Sequence, residues 1–549
     1  MLKDALGIFD FFQDKEDTEF GEDFQRMDKD YELWDMDPSS ILNNYDANVR
    51  SQSKEHKSQI RIVSDDLRIN SDNIDSILAS AAMDIKVKMA EETGQDLRNE
   101  IGVLERLFHF ALYMADERLK MLILPPLKET LIWHATKRGY AAARVLVYKG
   151  KDGGVVFNFV PYDPRWLVYE VGGEGLLRVA YKTFRSGVSL KSEYGYADGG
   201  KSDNPVVDYW EQIDENLFGN TVVTKDAILK PPGSYKIPSM PFSIVPVSTR
   251  PPISGVKMKG GDSIFAAVRN LNALRNRVMS IWASHGALKE NQPILNYMDE
   301  QGIRIDDAMT DIPGGVWNLK KDHNRVEPSP LPDISPTTVN LAGWLDSQIA
   351  QALLSPVYRM EEPAASGTRA AIAEEAGNKV FNPQLRALGY VYEDICRLIE
   401  EQLIAGGINV KVQGIQGNKY FEVKVRPVDL KKPHMTKVSF TAKPSWLQLA
   451  TAQMADMMLR QGYPKSWVNE HIYKFQDPKL MDDLEALEIY DNSPTGMMER
   501  AADALYRVRR DRKAAGSIVD EMVRMETEAT GQAPAMMPVP PSPPTGGGI

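Results

Sequence analysis

The side chains best suited to chemistry are thinly spread along this 549-residue chain. Its seven histidines, at 56, 109, 134, 285, 323, 434 and 471, never pair at the spacing that metal ligation needs. A single cysteine, Cys396, excludes an internal disulfide or a cysteine-cluster metal site, and beside Ile395 in an apolar seam it reads as a small buried hydrophobe. Gly260-Gly261-Asp262-Ser263 lacks the lysine and the spacing of a phosphate-binding P-loop, and there is no H-E-x-x-H or G-x-S-x-G. No enzyme, metal or cofactor is expected. What remains is charge able to meet phosphates, in four places. Arg269, Arg275 and Arg277 lie on an amphipathic helix. Lys320, Lys321, His323 and Arg325 follow a Pro313-Gly314-Gly315 turn. Arg359, Glu361, Glu362, Ser366, Thr368 and Arg369 stand in a loop of small and charged residues. Arg507, Arg509, Arg510 and Arg512 form a basic helical cluster with Arg500 and Lys513. Each group also has a plain structural reading, as ion pairs, a polar hairpin, a helix connection or a solvated face.

The elements that position these residues are legible from periodicity. After Asp262-Ser263, an N-cap type pair, Ile264, Val268, Leu271, Leu274, Val278 and Ile281 recur at spacings of three and four, one seam of a helix. The pattern stops at Asn291-Gln292-Pro293 and gives way to short alternating runs, with prolines at 328, 330, 332 and 336. A second helix carries Leu341, Leu345, Ile349 and Leu353 and halts at Ser355-Pro356. A third is expected from Ser366 to about Ala405, kinked at Asn382-Pro383, with Leu385, Leu388, Tyr392, Ile395, Ile399 and Leu403 along its seam. At about 1.5 Å per residue such a helix would reach roughly 60 Å.

The rest of the chain frames that core. Residues 1–60 are acidic and aromatic, with Phe9, Phe11, Phe12, Phe20 and Trp34, and read as a solvated flank or as a strap across a neighbouring subunit. Helical spacing covers 71–92, 97–124 and 127–137. Strand-like runs at 143–148, 155–160, 166–171, 176–184, 206–213 and 222–229 form an antiparallel β-rich layer, and a proline-punctuated run, 237–247, leads into the first helix of the core. Strands are expected again at 409–412 and 420–425, and helices at 448–459, 466–473 and 495–528, before a Pro/Gly tail that cannot build a core. No run of eighteen apolar residues suggests a membrane span, and the acidic N-terminus is unlike a targeting peptide. The formal net charge of −11 argues against a protein that coats DNA with a broad basic surface.

Helix, compact excursion, returning helix, loop and long helix, preceded by helices and a β-layer, resemble the portal proteins of tailed bacteriophages. Phe159-Val160-Pro161-Tyr162-Asp163-Pro164-Arg165-Trp166 is similar to a strand-turn-strand phrase of that family, and the resemblance covers about 70–510. It implies an α+β portal-type fold with long stem and wing helices, a β-rich wing layer, a small α/β clip and a helical C-terminal crown. The corresponding parts are an N-terminal arm at 1–60, wing at 61–261, stem helices at 262–286 and 337–355, clip at 287–336, tunnel loop at 356–368, long wing helix and strands at 366–440, crown region at 441–530 and tail at 531–549. The implied function is a homo-oligomeric ring of about twelve copies at the unique capsid vertex, assembled in the host cytoplasm. Double-stranded DNA would pass through it without sequence readout. Terminase large subunit and then a tail adaptor would dock on the clip, with major capsid and scaffolding proteins around the wing. The loop 359–369 would border the DNA, and the stem arginines would face either the channel or neighbouring subunits. Arg507, Arg509, Arg510 and Arg512 would stand at the inner, crown end. Another structural head–tail connector or adaptor of a virion is the alternative.

Overall fold

A computed structural model describes residues 5–36, 60, 62–89, 95–150, 153–196, 203–248, 260–290, 294–301, 322–328, 333–352, 381–416, 419–441, 454–464, 468, 493–504 and 512–530. The chain divides into a large unit, residues 1–443, and a C-terminal unit, residues 444–549. The large unit opens with α1 (Ala5–Thr18), α2 (Gly21–Asp35), α3 (Asp66–Ser80), β1 (Ala82–Met89), α4 (Gln95–Met121) and α5 (Leu127–Lys137). Strands β2 (Tyr140–Lys149), β3 (Val155–Pro161), β4 (Leu167–Val171) and β5 (Leu176–Arg185) precede a short α6 (Gly187–Tyr194). After it come β6 (Asn204–Asp214), β7 (Leu217–Thr224), β8 (Ile228–Lys236) and β9 (Phe242–Pro246). Next are α7 (Arg269–Glu290), β10 (Ile294–Met298), β11 (Asn324–Pro328), α8 (Pro336–Ala352) and α9 (Asn382–Gly406). The unit closes with β12 (Val410–Gln416), β13 (Lys419–Val425), the single turn α10 (Pro427–Leu430) and β14 (His434–Thr441). In the C-terminal unit α11 (Pro494–Ala504) packs on α12 (Arg512–Thr530). This is a mixed helix-and-sheet, α+β protein.

The large unit is layered because its strands alternate. Ala141, Ala143, Val145 and Val147 of β2 face the main core with α4, α5 and α9, whereas Ala142 and Leu146 face the opposite way. That second face of the three-stranded sheet β3-β2-β9 meets the five-stranded antiparallel sheet β4-β5-β6-β7-β8 through Phe242, Leu167, Val179 and Trp210. The neighbouring residues Val168, Ala180 and Tyr209 turn outward, where Ile8 and Phe12 of α1, Phe24 of α2 and Phe20 between the two helices cover them. Residues 5–36 of the acidic N-terminal segment therefore pack on a sheet of their own chain; residues 37–59 lie outside the described residues. Carboxylates of the packed segment meet cations of the β-layer: the Arg165 Nε lies 2.8 Å from Asp28 and its Nη1 3.0 Å from Glu16.

Helix α9 is the inner strut. Leu388, Ile395, Cys396 and Ile399 are fully buried, and burial pushes the Cys396 thiol pKa well up. The amide of Gln402 closes an edge of β2, accepting from Val147 N at 2.8 Å and donating to Val145 O at 2.9 Å. On another side, an added Cβ at Gly389 would stand 2.9 Å from Val438 O, so glycine lets the β14 backbone rest on the helix.

Three expectations change. The helix expected over 71–92 ends at Ser80, and β1 follows, because in Ala82–Met89 the buried residues Ile85 and Val87 alternate with polar ones. The run 222–229 is split between β7 and β8. Asn382-Pro383 opens α9 rather than kinking it, since Pro383 sits in the first turn, where its missing N–H costs nothing. Residues 366–380 of the expected long helix lie outside the described residues.

The lead into α7 crosses the α5–β2 turn at two glycines. Gly139 has φ +78°, and a Cβ there would come within 2.8 Å of the Asp262 backbone. A Cβ on Gly261 would lie 2.3 Å from Gly139 O and from the Tyr140 ring. Gly261→Ala should lower stability by about 3 kcal/mol, read from the urea midpoint, because the obstacles are backbone and a packed ring.

The strand pair β1–β14 is fastened to α9 by His434, whose Nε2 lies 2.7 Å from Glu400 and whose Nδ1 lies 2.7 Å from Lys432 O. Two acceptors favour the imidazolium, and the hydrogen bond to Glu400 raises the His434 pKa above 6.5. Stability from this contact is complete below the unfolded value and is lost as pH rises through the raised folded one. The melting-temperature difference between native chain and His434→Gln should therefore shrink from mildly acidic to alkaline pH. A difference that grows with pH would contradict it.

Candidate functional site

Of the residues singled out for chemistry, Arg269, Arg275, Arg277, His323 and Arg325 lie on α7 and at the strand pair that separates it from α8. Fourteen residues forward along α7, from Arg275 to Lys289, correspond to thirteen back along the chain from Asp346 of α8 to Asp333 just before that helix, so the helices run antiparallel. Their seam is Val278, Ala342 and Leu345 with Leu271, Leu274 and Trp282, continued toward the body by Phe265, Val268 and Ile349. Ile281, expected in the seam, is 48% exposed. Helix α7 proper starts at Arg269, and residues 264–268 form turns before it.

The root of α7 is ionic. Asp30 of α2 is fully buried and receives both Arg269 Nε at 2.7 Å and Nη2 at 2.9 Å, with Ser263 Oγ donating at 2.7 Å. Arg26 donates to Gly261 O from the same helix. Arg269 is thus engaged within its own chain, where a buried carboxylate needs it, since an unpaired charge there would be costly.

One turn and a half further on, Arg275 joins three segments. Its Nη1 donates to Ser64 Oγ at 2.9 Å and to Asp66 at 2.6 Å, and its Nε reaches Asp346 of α8. The neighbouring carboxylates outweigh burial and raise its pKa further. Arg277 is half-buried on α7. At the far end, His323 Nδ1 lies 2.6 Å from Asp299 and Arg325 Nε donates to Glu327 at 2.6 Å, both within the β10–β11 pair. Lys320 and Lys321, the loop residues Arg359, Glu361, Glu362, Ser366, Thr368 and Arg369, and Arg507, Arg509 and Arg510 lie outside the described residues. Arg512 opens α12.

Sequence reading missed a polar ladder along α7. The Ser64 N–H donates to Asn276 Oδ1 at 3.2 Å, Ile62 N–H to Ser280 Oγ at 2.9 Å and Ile60 N–H to Ser284 Oγ at 2.9 Å. Each serine hydroxyl in turn donates to the helix carbonyl one turn back, Asn276 O at 2.7 Å and Ser280 O at 2.8 Å. Two residues of extended chain advance about 6.6 Å and four residues of helix about 6.0 Å, which is why alternate strap amides meet every fourth helix residue. The signal was present as Asn272, Asn276, Ser280 and Ser284. Asn272 is the rung the strap does not reach, because α3 starts at Asp66; among the described residues its buried amide finds no partner.

Among the described residues no group of three or more His, Cys, Asp and Glu could hold a metal, and no helix is long and apolar enough to cross a membrane. No protein-family profile matches the chain, and no curated protein is similar to it.

The ladder can be tested apart from function. Removing both hydroxyls by Ser280→Ala with Ser284→Ala should cost about 1 kcal/mol per rung. Amide hydrogen exchange at Ile60 and Ile62 should accelerate while exchange in α9 stays unchanged. Unaltered protection at 60 and 62 would mean that the strap is held by something else.

Proposed function

We propose that the chain is a non-enzymatic portal subunit, a building block of the ring at a phage capsid vertex through which double-stranded DNA enters and leaves. The observation that carries the reading is the planted helix pair. Helices α7 and α8, the first about 33 Å long by its rise per residue, bracket a distal antiparallel strand pair; α7 is rooted by ion pairs on a layered α+β body, and α8 is tied to it through Arg275 and Asp346. Along the pair, Ile281, Val339, Leu341 and Trp344 are 37–53% exposed, large apolar side chains left uncovered among the described residues. Copies arranged around an axis would cover such faces against one another, as a closed head-to-tail interface requires. In that role α7 and α8 are stem helices, the β10–β11 pair belongs to a clip that meets the packaging motor and later the tail adaptor, and the layered body is a wing held by capsid and scaffolding proteins. The strong internal pairing of Arg269 and Arg275 favours a passive conduit, in which the motor is a separate ATPase.

The deciding experiment is electron microscopy with native mass measurement on the purified full chain. A ring of about twelve copies is expected, with an axial hole wide enough for a duplex. A chain that stays monomeric, both alone and when co-expressed with capsid and scaffolding proteins, would refute the reading.

A further inference from the structure

The connection between α4 and α5 has no part in the reading above. Helix α4 ends in a left-handed turn: Leu124 N–H donates to Leu119 O and Ile123 N–H to Lys120 O, both at 3.0 Å, with Ile123 at φ +58°. Glycine is the usual residue at that position, because a β-branched side chain is strained there. Ile123 is also 94% exposed, between Leu122 at 58% and Leu124 at 46%, and Met121 before them is 81% exposed. An isoleucine that strains its backbone and buries nothing in its own chain serves neither the local geometry nor the core. Met114, two turns back on the same face of α4, extends the exposed apolar surface.

Beside this tip opens a cavity of about 620 Å³, walled by Leu124, Pro125, Ile132 and Trp133 together with the carboxylates Asp75 and Glu129. Leu124 belongs both to the tip and to the wall, so knob and cavity share one face. The charges are complementary as well. Lys120, at the base of the knob, has a side chain 77% exposed and only a long contact of 3.5 Å to Glu117 one turn back, a surface pair that an incoming carboxylate can replace, and Glu129 is exposed at the cavity. Asp75 is already engaged by Lys137 and, at 2.8 Å, by Thr136, which leaves Glu129 as the carboxylate placed for an incoming cation.

We infer that this face is a two-fold docking surface for a second copy of the chain: each Met121–Leu124 knob enters the other copy's cavity, and each Lys120 meets the other copy's Glu129. A surface carrying both halves of a complementary contact side by side is what an isologous interface needs, since a two-fold axis returns every contact in reverse. Neighbours in a larger cyclic ring are related by a different rotation. The contact therefore joins free copies, or copies of two rings, and it is independent of the ring reading.

Sedimentation velocity of the full chain over a nanomolar to high-micromolar series, with melting curves alongside, tests the pairing. The native chain should show reversible doubling of its basic particle, whether monomer to dimer or ring to ring pair. Ile123→Gly should raise the melting temperature by relieving the strained turn while weakening the doubling about tenfold or more. Lys120→Glu should weaken it about tenfold, and Glu129→Lys in the same chain should restore it. Absence of doubling in the native chain, or unchanged doubling in Ile123→Gly, overturns the inference, as does failure of the charge exchange to rescue. Normal doubling by a chain that never closes a ring would sink the ring reading and leave this one standing.

Discussion

The crossing of two backbones at Gly139 and Gly261 is the constraint on which the large unit depends. Here the α5–β2 turn, the end of the β9 edge and the approach to α7 are tied by three backbone hydrogen bonds, from Val247 N to Gly139 O, from Asp262 N to Val247 O and from Ile264 N to Thr136 O. Helical layer, sheet and planted helix pair are thereby fixed relative to one another within a few residues. Around the crossing the charges are buried and paired, Asp30 with Arg269 and Arg26 with Gly261 O and Asp262. Pairs of this kind add little net stability, because desolvation offsets their attraction. What they supply is direction: Asp30 accepts the two Arg269 donors in only one orientation of α7.

Helix α7 is then held by two different chemistries on two sides. Toward α8 it presents an apolar seam, which is tolerant of small rotations. Toward the strap it presents amide and hydroxyl groups at every fourth residue, and these tolerate none, because rotation would break all rungs at once. The match between about 6.6 Å and about 6.0 Å is good for three rungs and drifts after that. The next position on the helix, Leu288, offers no hydroxyl. A short ladder therefore sets the rotation of α7 without having to follow its whole length.

Local order was readable from sequence because it is written in local periods. Seams at three and four located α4, α5, α7, α8 and α9, and alternation located β2 to β6. The pairing of β1 with β14 was not readable, since Ala82 and Thr441 are partners across most of the unit and neither strand is long. Nor could the aromatic N-terminal helices be assigned a surface: their apolar spacing is visible, but the sheet that they cover, through Val168, Ala180 and Tyr209, comes from strands far along the chain. The site fared likewise. Arg269 and Arg275 were recognised as charged positions on a helix, whereas their carboxylates, Asp30, Asp66 and Asp346, come from three separate elements that only the fold brings together. The ladder was the opposite case. Its spacing stands in the sequence, but Asn and Ser at every fourth residue are also what a solvated helix face carries, and only the strap amides at 60, 62 and 64 distinguish the two.

Pairing within the chain also bears on how such a subunit would treat DNA. A polyanion is gripped by each cation that can displace its counterions, and the grip accumulates with every phosphate contacted. Here Arg138, Arg144, Arg165, Arg269 and Arg275 all lie against carboxylates of their own chain, in a protein already negative by 11 charges. A carboxylate beside a guanidinium both neutralises it and fixes its donors, so a passing phosphate would have to compete for them. Cyclic symmetry magnifies the effect, because any cation facing a lumen is repeated once per copy. In the proposed ring, tying Arg269 and Arg275 to carboxylates would offset two whole circles of positive charge in the stem, which would lower friction on a sliding duplex without requiring any side chain to repel it.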